Sequence, residues 1–242
     1  MAIAFNVGAG QSQNYENATT TITTAGVTTT GGSGSVFLAW VFHEASGEGF
    51  TSITDSNANS WAQVGSTYQD GNKYVRTYKC EGGTGGSSHT FTVTYSGTGG
   101  TAILVVELTG CATSNAIDQA PAVVKDTASP FSSSTTGTTA QANEMLVGFL
   151  LGDSDSDTPG NTVDSSSTPT SGWTIRVDEY GSQQIACMLA TVGVSSTGTY
   201  NFAGTQTGSG EAYVQIVTVK EGTASGSITP RAAAYYRMMR SR

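Results

Sequence analysis

Apolar and polar residues alternate along this chain in short runs of strand length, and two of the runs nearly repeat each other. Residues 97–110 read GTGGTAILVVELTG, and residues 208–222 read GSGEAYVQIVTVKEG. Each run opens on small turn residues, passes through β-branched apolar positions and stops at a glycine. The consecutive apolar residues Ile103, Leu104, Val105 and Val106 predict a strand buried on both faces. Their β-branched content and the flanking glycines favour a strand over a short buried helix.

The same signal recurs along the chain. Residues 3–7 predict a short strand, and residues 19–30 (TTTITTAGVTTT) have high β-propensity with little apolar depth, the pattern of an edge strand. Residues 36–42 (VFLAWVF) predict a buried strand. Residues 50–55 lead into a turn at 55–59, after which Trp61 begins the next strand. Asp70-Gly71 predicts a hairpin between 64–68 and 74–80. Residues 89–95 (HTFTVTY) alternate, with Phe91, Val93 and Tyr95 on one face. A looser connection containing Pro121 and Pro130 runs to Phe131, a Ser/Thr stretch follows, and residues 145–151 (MLVGFLL) restart the pattern.

Set side by side, the two halves correspond. Residues 36–42 match 145–151, Trp61 matches Trp173, 74–80 match 184–190, Phe91 and Val93 match Tyr200 and Phe202, and 103–109 match 214–220. This correspondence predicts an internal duplication with halves at about 17–111 and 131–222. The fold class expected is all-β, with residues 1–222 forming either two Ig-like sandwiches in tandem or one jelly-roll-like antiparallel β-sandwich built from both halves. The connection 110–131 does not read as a flexible linker, which favours one compact body. Beyond Gly222 the composition changes: 223–227 is a small-residue linker, and 228–242 (ITPRAAAYYRMMRSR) is an extended, basic and aromatic C-terminal arm.

Composition sharpens this picture. The chain has 242 residues, enough for one large β core, and only 12% are charged, which suits short strands and many turns. Disorder is the competing reading of so polar a chain, and the regular apolar runs argue against it. Four of the ten Lys/Arg lie in the last twelve residues. The rest of the chain therefore sets six basic residues against all eighteen acids, a net charge of −12, while the tail carries +4. An acidic body is a poor non-specific ligand for nucleic acid. Cys80, Cys111 and Cys187 are odd in number and far apart, and read as buried reduced thiols. Residues 1–13 have neither a basic n-region nor a long apolar segment, and no run approaches the length of a membrane span. The expectation is a protein made in the cytoplasm without a signal peptide, with no membrane partner.

Candidate chemistry is sparse. Asp153, Asp155 and Asp157, with Asp164 further on, have the alternate spacing of a calcium loop, but Thr158 stands where the tight turn wants glycine, so a solvated acidic loop is the simpler reading and no cofactor is required. Asp55, Asn57 and Asn59 read as a turn held by side-chain hydrogen bonds. His43 beside Glu44, with Glu48 beyond, resembles an acid/base cluster, yet no nucleophile elbow accompanies it, and an enzyme is not expected. Tyr68, Tyr74 and Tyr78 flank a hairpin that bears Lys73 and Arg76 and are the candidates for stacking on a glycan. In the arm, Arg231, Tyr235, Tyr236, Arg237, Met238, Met239 and Arg240 combine charge opposite to the body with apolar groups that a purely solvated tail does not need. They are the candidates for contact with a neighbouring copy or another acidic protein.

The order of an apolar strand (SVFLAWVF), a D-S-x-x-N-x-W turn (55–61), an alternating TFTVTY strand and a VVELTG ending resembles a diffuse class of lectin-like β-sandwich proteins encoded among the structural genes of tailed bacteriophages and in bacterial genomes. NEMLVGFL, GWTIRVDEY and IVTVKEG in the second half resemble the same class. The resemblance implies a non-enzymatic virion component, such as a head decoration, fibre or tail-associated protein, with other virion proteins and its own copies as partners. The alternatives are a carbohydrate-binding module and a calcium-dependent adhesin.

Overall fold

The computed structural model describes residues 2–13, 19–44, 49–127, 129–153, 168–180, 185–206 and 211–223. In the first half the strands are β1 (Ala4–Gln13), β2 (Thr19–Thr23), β3 (Val27–Gly31), β4 (Val36–Glu44), β5 (Phe50–Asp55), β6 (Ala62–Asp70), β7 (Lys73–Glu81), β8 (Thr84–His89) and β9 (Phe91–Thr109). In the second they are β10 (Ile117–Gln119), β11 (Val124–Asp126), β12 (Phe131–Ser132), β13 (Asn143–Asp153), β14 (Thr168–Pro169), β15 (Thr174–Tyr180), β16 (Ile185–Ser195), β17 (Ala203–Thr205) and β18 (Glu211–Lys220). The described residues contain no helix, and their strands pair antiparallel, so the protein is an all-β sandwich.

Two large sheets form its centre. One runs β1-β9-β4-β7-β6, the other β10-β18-β13-β16-β15, with β11 also on β18. Position by position the order is the same. Their facing sides build one shared core: Leu38, Trp40, Leu104 and Val106 of the first sheet pack with Val147, Phe149, Leu189 and Val217 of the second. The alternative of two independent sandwiches in tandem is thereby excluded.

Each sheet also buries its other side. In the first half Phe37, Val41, Ile103 and Val105 pack beneath β2, β5 and the start of β9, through Ile22, Ile53, Phe91 and Val93. In the second, Leu146, Leu150, Met188 and Ile216 pack against Phe131 and Phe202, beside the small sheet β12-β17-β14. This is why β4 and β18 are dominated by apolar residues: eight consecutive residues are buried in each. A fully buried Leu, Ile or Phe contributes about 1.5–3 kcal/mol, so strands covered on both faces carry most of the stability. Within the first half, β2 and β5 flank the start of β9 over the sheet β1-β9-β4-β7, and the halves join through their large sheets.

Two expected elements differ. Residues 89–95 and 97–110, read as separate strands, are the single 19-residue strand β9. Its first part pairs with β2 and β5 and its last part with β1 and β4, and glycines 97, 99 and 100 let it pass from one layer to the other. The expected edge strand 19–30 breaks at Ala25-Gly26, because β2 pairs with β9 while β3 pairs with β8.

Polar contacts cross the shared core at two places. Trp40 Nε1 and Thr77 Oγ1 both donate to Gln215 Oε1 (2.7 and 2.6 Å), whose Nε2 donates to the Pro121 carbonyl at 2.9 Å. Nearer the edge, Lys73 and Lys125 converge on Glu211, and Lys125 also pairs with Asp70 at 2.6 Å. Burial alone would raise the Glu211 carboxyl, but the two ammonium groups outweigh it and hold its pKa at about 2.

Candidate functional site

The two organising strands end together. Beyond them, Gly222 N–H donates to the Gly110 carbonyl (2.8 Å), Cys111 bridges Glu221, Ala112 N–H donates to the Lys220 carbonyl (2.9 Å), and Cys111 N–H donates to the Gly34 carbonyl (2.8 Å). Glycine is required at this seam. Gly110 has φ +72°, and a Cβ there would lie 2.3 Å from the Ala2 carbonyl oxygen; a Cβ on Gly222 would lie 2.5 Å from the Cys111 carbonyl oxygen. The seam opens into a groove of about 850 Å3, lined by Ser33, Gly34 and residues 110–114 from the first half and by Gln141 and residues 220–223 from the second. Thr223, the last described residue, is part of this lining.

A polar node stands beside each wall. In the first, the Glu107 carboxylate is buried inside an apolar strand and accepts from Thr30 N–H (2.9 Å), Gly31 N–H (2.6 Å), Ser35 Oγ (2.7 Å) and Asn6 Nδ2 (2.5 Å). Asn6 is the residue at which β1 bulges against β9. In the second half the register places Asp118 at the matching bulge of β10 against β18, Glu144 in the place of Ser35 and Thr218 in the place of Glu107. The hydroxyl and the carboxyl have exchanged strands, and the amide has become an acid. Glu144 is fully buried, and no N–H or O–H is aligned on either of its oxygens. Burial pushes its pKa up to about 7; Thr218 opposes that rise, Asp118 adds to it, and the Gln141 backbone opposes it least.

The residues singled out in the sequence fall elsewhere. Arg231, Tyr235, Tyr236, Arg237, Met238, Met239 and Arg240 lie outside the described residues, as do Asp155, Asp157, Asp164 and Glu48. Asp153 ends β13, opposite Glu211 and Ile185 in the register. Among the described residues no group of three or more His, Cys, Asp or Glu is placed to hold a metal ion. The three tyrosines share no exposed face. Tyr74 and Tyr78 are buried, with Tyr78 stacked on Phe50 at 5.3 Å, while Tyr68 turns to the other side of the hairpin and meets Tyr213 edge-on.

The two histidines are packed groups. His43 stacks on Tyr95 at 3.9 Å with neither ring nitrogen hydrogen-bonded, and burial, aided by the positive charge of Arg76, lowers its pKa to about 4. Glu44 instead accepts from Asn72. His89 lies between Thr29 Oγ1, 2.8 Å from Nδ1, and Asp55 Oδ1, 3.1 Å from Nε2 without the alignment of a hydrogen bond. This chain has the composition of a hydroxyl–imidazole–carboxylate relay, but His89 is wholly buried and the Thr29 hydroxyl is also engaged with Gly86. Asp55 is the hub of the 55–61 turn, accepting from Asn57 N–H (2.9 Å), Asn59 Nδ2 (3.2 Å) and Trp61 Nε1 (2.7 Å). None of the three cysteines is in a disulfide and all are buried, and burial raises the thiols of Cys80 and Cys111 to about 11 and about 12.

Sequence reasoning passed over the two nodes and Gln215. Their signal was present: a lone carboxylate inside a doubly buried run, as in Val105-Val106-Glu107-Leu108, must find partners, because an unpaired buried charge is too costly to keep. The groove itself had no signal beyond the two closing glycines. No protein-family model matches this chain, and no curated protein sequence matches it.

Proposed function

We propose that this protein is a non-enzymatic structural component of a bacteriophage particle, held to its neighbours by the C-terminal segment beyond Thr223. The observation that carries the reading is the placement of apolar groups. Among the described residues Ile175 is the one large hydrophobic residue that is exposed, so the described surface offers little apolar area for a partner. Tyr235, Tyr236, Met238 and Met239 supply such groups, together with four arginines, on a chain whose remainder is strongly acidic. A basic arm of this kind fits the acidic body of another copy. The resemblance of the strand order and of the 55–61 turn to lectin-like phage structural proteins supports placing that assembly on a virion, and the common strand order of the two large sheets supports descent of both halves from one unit.

Light scattering on the full chain and on a chain ending at Gly222 tests the reading. Self-association of the full chain that the truncated one lacks is the expected result. Two monomers, together with unchanged particle occupancy by the truncated chain, would overturn it.

A further inference from the structure

At the end of the first sheet where β4 stops, a set of buried polar atoms has no partners. His43 pairs with Tyr74 of β7 on one side and with Thr101 of β9 on the other. Its side chain is buried, neither ring nitrogen has a hydrogen-bond partner, and the buried Thr101 hydroxyl has none either. The fold does not demand polar groups at these positions. At the matching place in the second sheet, three residues on from Phe149 as His43 is from Trp40, the register sets Gly152 between Ala186 and Ala212.

Packing alone holds the ring. It stacks on Tyr95 at 3.9 Å, and Tyr95 is itself fixed by its hydroxyl, which donates to the Phe42 carbonyl at 3.0 Å. The chain at Gly49 closes against the imidazole: a Cβ there would lie 3.0 Å from His43 Cε1. Gly49 is clasped in turn, its carbonyl accepting the Ser96 N–H at 2.5 Å, while Phe50 beside it stacks on Tyr78 and meets Tyr95 edge-on. We propose that His43 pins an acid-released clasp: a proton on the ring drives it out of its slot and frees Gly49 and Phe50 from the outer face of the first sheet.

The cause is that nothing in the slot answers the added charge. A neutral imidazole carries one donor and one acceptor, whereas a protonated one carries two donors and a full charge. The ionisable side chains on that face of β7 are Tyr74, Arg76 and Tyr78, β9 brings Tyr95, and Gly49 and Phe50 bring none. Glu44, next along β4, alternates to the other face and accepts from Asn72. Among these described groups none that faces the ring is a carboxylate, and the Arg76 guanidinium opposes a second cation. A buried cation without a partner is strongly destabilising, so the protonated ring exchanges its slot for water. Burial first, and then Arg76, accordingly lower the folded-state pKa to about 4. The sign follows from linkage: the packed neutral ring contributes fully above the unfolded value of about 6.5, and the contribution is lost as pH falls towards 4, because the freed ring binds the proton more tightly than the packed one.

Amide hydrogen exchange of the full chain between pH 7 and 4.5, with His43→Phe beside it, tests the clasp. Phenylalanine keeps a ring against Tyr95 and takes no proton. Corrected for the intrinsic effect of pH on exchange, protection of the Ser96 amide is expected to fall about tenfold or more in the wild type and to stay constant in the variant. The amides of Ile103 and Val105, in the middle of the same sheet, keep their protection in both. Protection at Ser96 that does not change with pH would overturn the proposal, as would an equal loss in His43→Phe. If that variant does not fold, the wild-type ring decides by NMR: its Cε1 proton should titrate together with the loss of protection at Ser96, and a ring that gains its proton while Ser96 stays protected would sink the clasp.

Discussion

The outer faces of the two halves cover similar large sheets with different chemistry. In the first half the cover combines aromatic rings with an imidazole and a carboxylate: Trp61, Phe91 and Phe37 pack around His89, and Asp55 lies between the imidazole and the 55–61 turn. In the second half Phe131, Trp173 and Phe202 supply the aromatic part, and a ladder of hydroxyls stands where the first half has the imidazole and carboxylate. Ser133, Thr136 and Thr139 each donate a backbone N–H to Phe202, Tyr200 and Gly198 and accept the N–H of the same residue on their side-chain oxygen. The facing sides, in contrast, are mainly apolar in both and share one core. Trp40 and Phe149, which occupy matching positions, stack on each other at 5.6 Å with an interplanar angle of 8°, as residues meeting near a two-fold axis would. A face that must fit its counterpart is constrained by both sheets at once. A face covered only by its own loops is free to change its chemistry.

The sharpest way to break this comparison is to attack the shared face. Trp40→Ala removes the stack and leaves Gln215 without one of its donors, and is expected to cost about 3–5 kcal/mol. Calorimetry should show one cooperative transition moved as a whole; two transitions, with only one displaced, would mean that the halves do not share a core. Next in size is the first polar node. Glu107→Gln sets an NH2 against existing donors and should lose about 2–3 kcal/mol in urea unfolding at pH 7.5, whereas Glu144→Gln at the matching node should lose nothing there. Equal losses would erase the asymmetry between the halves.

Smaller again is the ion cluster that joins them. Glu211→Gln should cost about 1–2 kcal/mol at pH 7, the range of charged hydrogen bonds at a half-open site. Because the folded-state pKa of Glu211 is depressed to about 2, its contribution is present above the unfolded value of about 4.5 and disappears as pH falls towards 2. Urea midpoints of wild type and variant should therefore converge in acid. The mildest change is Thr136→Val, which leaves the Tyr200 N–H without its acceptor and should cost about 1 kcal/mol, read as faster hydrogen exchange at that amide.

The strands of the sandwich were legible because burial on both faces demands apolar runs, and 36–42, 103–106 and 145–151 supply them. The matched positions of Trp61 and Trp173 were legible too, and each packs into the outer core of its own half. The hydroxyl ladder was not, because Ser133, Thr136 and Thr139 recur every third residue in a run so rich in Ser and Thr that no periodicity stands out. Nor was the exposure of Tyr74 and Tyr78, which depends on whether β5 lies over the hairpin: Phe50 closes over Tyr78, and nothing local in the sequence sets that contact. The groove arises from a meeting of residues 110–114 with 220–223, far apart in the chain, and only the repeated closing glycine hinted at it.

The last strand of the fold, β18, is an interior one, flanked by β13 along ten residue pairs and by β10 and β11 on its other side. Any pull on the segment beyond Lys220 therefore enters the molecule through the middle of a sheet rather than at an edge. An edge strand peels away one hydrogen bond at a time, while a flanked strand drawn lengthwise must shear its ladders together. Tension applied at that end is thus spread over the whole second sheet, and through the shared core over the first.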